Sequence, residues 1–107
     1  MTNQTDRELL EAAALAAGMG PLIWGEFNPE TPLVYGAAIR WNPLTDDGDA
    51  LRLAVKLGLS VHVLPAMNLS WASFNGGHTT YNADHDTDPY AATRRAIVRA
   101  AAGITPG

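Results

Sequence analysis

A chain of 107 residues is long enough for one domain with one hydrophobic core and too short for a second core. Its net charge of −4 and pI of about 5.1 argue against a basic face for duplex nucleic acid. The absence of cysteine excludes disulfides, thiolate metal ligands and cysteine nucleophiles. No apolar run approaches the roughly 20 residues that cross a bilayer, and no secretory signal is evident. We therefore expect no membrane partner and a location in the cytoplasm.

The first predicted helix begins at a capping box, in which Thr5 and Glu8 satisfy each other's backbone N–H groups. Gly18 ends this helix. Leu15 falls opposite its apolar face, so we expect this side chain to be exposed or covered by another chain. Short apolar runs around 22–24 and within 33–40 predict one or two weak strands, with a proline-containing loop over 28–32 between them.

The second predicted helix follows the segment 41–44, with Thr45 or Asp46 as its N-cap and Gly58 at its end. Three carboxylates in its first turns, those of Asp46, Asp47 and Asp49, suit the positive end of the helix dipole. Its apolar residues span about 200° of the helical wheel, wider than an ordinary surface helix. We therefore expect this helix to be covered on two sides.

The clearest strand runs over 59–64, where strict alternation places Leu59, Val61 and Val63 on one face and Ser60, His62 and Leu64 on the other. A second alternating segment at 70–74 follows a turn at 66–68, which predicts an antiparallel hairpin. After a turn at 75–77, residues 78–81 return as a further strand, and 82–87 form a polar loop.

The third predicted helix has Thr87 or Asp88 as its N-cap, Pro89 near its first position and Gly103 at its end. On a helical wheel, four residues centre its buried face: Thr93, Ala96, Ile97 and Ala100. Tyr90 and Arg94 lie on the flank of that face, whereas Arg95 and Arg99 point to solvent and Val98 lies off the main face.

The order of these elements predicts a single α+β domain over 1–107, with an ordered core of about 5–104. We expect a small, mainly antiparallel sheet with about three helices packed largely on one face. The other face of the sheet is a candidate surface for association of identical chains.

Two segments carry a family resemblance. The segment 41–54, with its Asn-Pro start and the pair Asp49-Ala50, and the segment 90–98 resemble the NinX-like phage protein family, which is catalogued as a domain of unknown function. The resemblance extends over about 5–104 and is diffuse outside these two helix starts. It implies a bacteriophage or prophage protein in a bacterial cytoplasm, and it implies no reaction.

Each of these helix starts places an aromatic ring beside exposed backbone N–H groups. The predicted ligand-binding residues are Trp41, Asn42, Asp47, Tyr90, Thr93 and Arg94. A base would stack on Trp41 or Tyr90, Arg94 would meet a phosphate, and Asn42 or Asp47 would accept hydrogens from a ribose or a base. The structural alternatives are that Trp41 anchors the core and that Arg94 pairs with Asp47 or Asp49.

Other groups of polar residues carry weaker signals. The spacing of His78, Asp84, His85, Asp86 and Asp88 matches no established metal pattern, so we predict a solvated loop, no metal and no cofactor. A serine–histidine catalytic site is not indicated, because none of Ser60, Ser70 and Ser73 stands in a nucleophile-elbow spacing. The pair Gly76-Gly77 is predicted to form a turn rather than a phosphate loop. His62 is expected to be a surface or cross-strand residue, and Trp24 and Trp71 core or interface residues.

The sequence thus favours a protein without enzymatic activity, although nucleotide hydrolysis stays open. The leading hypothesis is a phage protein that binds a small nucleotide-like molecule, such as a host anti-phage defence signal that it sequesters, and that forms a homo-oligomer. The alternative is a protein–protein interaction module that inhibits or adapts a host or phage protein, because Leu15 and Val98 lie off the main helical faces.

Overall fold

The computed structural model describes residues 5–25, 31–34, 39–74, 80–85 and 88–104. Its elements, in chain order, are α1 (Asp6–Ala16), β1 (Leu22–Ile23), β2 (Leu33–Val34), β3 (Ile39–Arg40), α2 (Asp47–Leu57), β4 (Ser60–Leu64), a 3-10 turn (Pro65–Met67), β5 (Leu69–Ser73), β6 (Thr80–Asp84) and α3 (Pro89–Ala102). The predicted α+β class is confirmed. Part of the predicted loop at 28–32, the turn at 75–77, His78, Asp86 and Thr87 lie outside the described residues.

The described strands form two antiparallel three-stranded sheets, β1–β2–β3 and β4–β5–β6, where the sequence predicted one. The first sheet is small because its strands have only two residues each, and Pro21 and Pro32 directly precede β1 and β2. The second sheet is regular, with five-residue strands in which His62 lies opposite Trp71 and Trp71 opposite Asn82. The predicted hairpin is therefore confirmed. The returning strand is present but covers Thr80–Asp84 rather than 78–81, so the prediction of a polar loop from residue 82 is wrong for 82–84, which pair with β5.

Local side-chain hydrogen bonds begin each helix. The Thr5 hydroxyl accepts from the Glu8 N–H at 3.1 Å, and the Glu8 carboxylate accepts from the Thr5 N–H at 3.0 Å, which confirms the capping box. Asp46 caps α2 by accepting from the Asp49 N–H at 2.8 Å. Asp88 caps α3 through its Oδ1, which accepts from the first backbone N–H groups of that helix.

The helix α3 is the central element of the fold, because it packs against α1, α2 and the sheet β4–β5–β6. Small side chains let it approach the sheet closely: Ala92, Ala96 and Ala100 of α3 with Ala72 of β5 and Ala83 of β6. The prediction that Val98 lies off the buried face is wrong. Val98 is fully buried, because α3 has neighbours on more than one side.

The helix α2 is more exposed than predicted. Its inner residues Ala50, Leu53 and Ala54 are buried, but Leu51 is 64% and Val55 73% exposed. The expectation of cover on two sides is therefore wrong within a single chain. Leu15 on α1 is 58% exposed, as expected.

The two faces of the sheet β4–β5–β6 have different surroundings. One face, which includes Ser70 and Ala72, lies against α3. On the other face the His62 and Trp71 rings stack with centroids 3.8 Å apart and planes 14° apart, which confirms His62 as a cross-strand residue.

Candidate functional site

Trp41 and Asn42 are structural residues at the start of α2. Trp41 is buried in the core, so its ring offers little surface on which a base can stack, and the core-anchor alternative is what the structure shows. Asn42 is buried as well. Its Oδ1 accepts from the Leu44 N–H at 3.0 Å, and its backbone N–H donates to Asp49 Oδ2 at 2.9 Å. These bonds hold the chain in the turn that leads into the helix.

A groove lies between α2, α3 and β4, with a volume of about 680 Å³, and is here called the α2–β4 groove. Its apolar wall consists of Ala50, Leu51, Ala54, Val61, Val63, Pro65, Pro89 and Ile97. Its polar residues are Asp47, Asn68, His85, Tyr90, Thr93 and Arg94. Four of the six predicted ligand-binding residues thus line one cavity, although they come from helices far apart in the sequence.

Arg94 connects the start of α2 to α3. Its Nη1 donates to Asp47 Oδ1 at 2.6 Å, and its Nε donates to the Leu44 carbonyl at 2.8 Å. The Arg94 side chain is mostly buried, whereas that of Asp47 is largely exposed. The predicted structural pairing of Arg94 with Asp47 is therefore confirmed. Because the carboxylate neutralises the guanidinium, this end of the groove has no excess positive charge to offer a phosphate.

Thr93 takes part in a partly buried hydrogen-bond chain in the wall of the groove. Its Oγ1 donates to the Pro89 carbonyl at 2.8 Å and lies 2.8 Å from Ser70 Oγ, which in turn lies 2.8 Å from His85 Nε2. Ser70 is fully buried and His85 nearly so. The chain joins β5, the end of β6 and the first turn of α3.

The directions of these hydrogen bonds follow from the donors available. A carbonyl only accepts, so the Thr93 proton points to Pro89 and the Ser70 proton points to Thr93. In this arrangement the Ser70 oxygen accepts from Nε2 of His85. We therefore expect the tautomer with the proton on Nε2, in which His85 donates to Ser70 rather than acting as a base that would activate it.

Sequence reasoning missed this hydrogen-bond chain. It noted Ser70 and histidine only as one of several serine–histidine combinations without nucleophile-elbow spacing. The available signal was the alternation in β5, which turns Ser70 toward the helix that carries Thr93.

A second, more polar cavity of about 500 Å³ lies between β6 and α3, and Arg95 and Arg99 are among its lining residues. Both arginines were predicted to point to solvent, and both are partly exposed, but each also holds a hydrogen-bond partner at the surface. Arg95 binds the Asp6 carboxylate through two hydrogen bonds of 2.9 and 3.2 Å, and Arg99 donates to the Asn82 carbonyl at 2.7 Å. The hydrogen bond from Arg95 lowers the pKa of Asp6 below its ordinary value of 3.8.

No metal site is found in the part of the chain that the structure describes, since no three histidine, aspartate or glutamate side chains are grouped to hold an ion. The prediction of a solvated loop is wrong for Asp84, which ends β6, and for His85, which is buried and bonds to Ser70. Asp88 is exposed and caps α3.

Exposed apolar side chains continue from the groove onto the surface. Leu51 and Val55 lie on α2, Val63 (49% exposed) on β4, Met67 in the following turn and Tyr90 (70% exposed) at the start of α3. An exposed apolar surface of this kind beside a groove is typical of a binding site.

Comparison of the chain with models of protein families, with curated proteins and with solved structures finds no match. The resemblance to the NinX-like family therefore stays a prediction from the sequence. Among the described helices, none combines the length and apolar character that a membrane crossing needs.

Proposed function

We propose that this chain is a binding protein without a catalytic role, whose α2–β4 groove holds a small ring-containing molecule of the nucleoside type. The observation that carries the proposal is the groove itself. Its volume of about 680 Å³ falls within the roughly 300–1,000 Å³ of small-molecule pockets. Its mostly apolar wall with a few polar groups at the ends also matches such pockets.

The charges at the groove favour a neutral ligand over a highly phosphorylated one. Asp47 already neutralises Arg94, so an added phosphate would face the Asp47 carboxylate as well as the guanidinium. The same pair suits hydroxyl and amide groups, because Asp47 accepts hydrogen bonds and Arg94 has N–H groups beyond the two that bind Asp47 and Leu44. The exposed ring of Tyr90 offers a stacking surface for a base.

Calorimetry with adenosine, guanosine, cytidine and uridine and with their 5′-monophosphates tests this proposal. We expect at least one nucleoside to bind, and to bind no more weakly than its monophosphate. Tyr90→Ala should weaken that binding about tenfold, because stacking of one base on an aromatic side chain is worth about 1–3 kcal/mol. Leu15→Ala, on α1 and outside the groove, is the matched control and should leave the affinity unchanged. Absence of binding by the folded protein across this panel would refute the proposal.

In the phage setting that the NinX-like resemblance implies, such a groove would sequester a host signal molecule.

A second candidate function is protein–protein interaction, and the exposed apolar side chains of Leu51, Val55 and Met67 beside the groove favour it. This function predicts a host protein that binds the wild-type chain and the Leu15→Lys variant but does not bind the Val55→Lys variant. Retention that is insensitive to Val55→Lys would argue that these apolar side chains are not the binding surface.

A further inference from the structure

The strand β4 is an edge strand without the usual protection against pairing. It lies at one end of the order β4–β5–β6, so no described strand pairs with its outer side. Natural edge strands commonly carry lysine, proline, inward-pointing charge or a bulge. The five residues of β4, Ser-Val-His-Val-Leu, include no lysine, proline, aspartate or glutamate, and their pairing with β5 is regular.

The opposite edge of the same sheet is protected. Its strand, β6, ends in Asp84, which is exposed, and Arg99 of α3 donates a hydrogen bond to the Asn82 carbonyl within that strand. The contrast between the two edges indicates that the open side of β4 is suited to another strand.

Apolar side chains beside the open edge extend the surface that a partner would cover. Val63 is on the face of the sheet that lies against α3, and it lines the α2–β4 groove together with Leu51. Leu51 and Val55 are four residues apart and so lie on one face of α2. Their exposure, 64% and 73%, is far above that of the inner residues of this helix.

We propose that a second copy of this chain covers this surface, with the two β4 strands antiparallel across a twofold axis through His62. This arrangement pairs all five residues of β4, placing Val61 opposite Val63 of the second copy and Ser60 opposite Leu64. An axis through Val63 would instead bring Pro65 into the ladder, where it has no N–H to donate. The inference concerns association and does not depend on the proposed ligand.

The second copy fits better than an unrelated strand for two reasons. Val61 and Val63 lie symmetrically about His62, so a twofold axis there places valine opposite valine, as a self-complementary twofold surface requires. A twofold axis perpendicular to the sheet also keeps both α2 helices on the same face. The exposed Leu51 and Val55 of both copies then lie on one face of the joined sheet. The result is a six-stranded sheet.

Single cysteines test the register, because the chain has no cysteine of its own. In the proposed dimer, position 62 lies opposite itself at a Cα–Cα distance of about 4.5–5.5 Å, within the range of disulfides. Position 60 lies about 13 Å from its own copy along the strands, at about 3.3 Å per residue. We expect mild oxidation to give a cross-linked dimer with His62→Cys and not with Ser60→Cys, on the same strand and the same face. Equal cross-linking of the two variants, or none, would overturn the register.

The mass in solution tests the association without relying on those variants. Light scattering of the wild-type chain should give twice the 11.4 kDa of one chain. Val63→Lys should give the mass of one chain with an unchanged far-ultraviolet circular dichroism spectrum, whereas Leu15→Lys should stay a dimer. A wild-type monomer at all concentrations, or a dimer that Val63→Lys leaves intact, would overturn the proposal. If the wild-type chain is a monomer and still binds a nucleoside, the dimer proposal fails and the ligand proposal stands.

Discussion

Replacement of Ser70 by alanine should destabilise the protein by about 1–3 kcal/mol, because it leaves a buried donor without an acceptor. The Ser70 hydroxyl lies 2.8 Å from both His85 Nε2 and Thr93 Oγ1. Without it, Thr93 keeps its hydrogen bond to the Pro89 carbonyl. His85 is only 5% exposed, so its Nε2–H loses its acceptor in a nearly buried environment, and this loss accounts for most of the cost.

This magnitude is large enough to measure, since a domain of this size has a free energy of unfolding of only about 5–15 kcal/mol. Urea denaturation of wild-type and Ser70→Ala proteins at pH 7 gives the difference. Thr93→Ser is the control, because it keeps the hydroxyl and removes only a methyl group, at a cost of about 0.8 kcal/mol or less.

Nitrogen-15 NMR of the His85 imidazole tests the same reasoning directly. We expect Nε2 to carry the proton in the wild-type protein, because Ser70 donates to Thr93 and has no second proton for His85. An unprotonated Nε2, or a Ser70→Ala variant as stable as wild type within 0.5 kcal/mol, would refute the assigned directions. An unprotonated Nε2 would also reopen His85 as a base toward Ser70.

Three further predictions concern the ends of the helices. Arg94→Met should lower the free energy of unfolding, measured by urea denaturation, by about 1–3 kcal/mol, because it removes the bonds to both Asp47 and the Leu44 carbonyl. Arg94→Lys should not restore this loss in full, since one ammonium lacks the planar fork that serves both acceptors, and full rescue would contradict the reasoning. The lowered pKa of Asp6 means that its pairing with Arg95 stabilises the fold above pH 3.8 and is lost as the pH falls through the folded-state pKa. At pH 7 the Asp6→Asn variant should therefore lose stability relative to wild type, but by no more than about 1 kcal/mol because the carboxylate is exposed. This difference should shrink in acid unfolding below pH 3.8, and a difference that grows there would be contrary evidence. Gly58→Ala should lower the stability in thermal unfolding by about 1 kcal/mol, because φ is +65° and no neighbour crowds the new Cβ. Gly58→Asn should cost less. An alanine variant as stable as wild type would show that the left-handed conformation of Gly58 does not limit the stability.

Much of the candidate site could be predicted, because most of its polar residues lie in the first turns of two helices. Asp47, Tyr90, Thr93 and Arg94 were chosen from the two helix starts, and all four line the α2–β4 groove. Trp41 came from the same reasoning and proved to be a core residue. A helical wheel shows which face of a helix is apolar, but it does not show whether an aromatic residue just before that helix turns inward.

Features that depend on residues near one another in the chain were determined by the sequence itself. The capping box at Thr5, the left-handed end at Gly58 and the alternation of β4 each involve a backbone conformation or hydrogen bond within a few residues. Local physical chemistry of this kind is independent of what packs against the segment. The helices, the hairpin and the α+β class followed from it.

Only the tertiary structure decided which surfaces meet. It buried Val98 because α3 has neighbours on several sides, and it left Leu51 and Val55 exposed because no described element covers that side of α2. It also joined Arg94 to Asp47, 47 residues away, and Ser70 to Thr93, 23 residues away. Such contacts depend on the relative placement of whole elements, and that placement is set by the packing of the entire core rather than by any one segment.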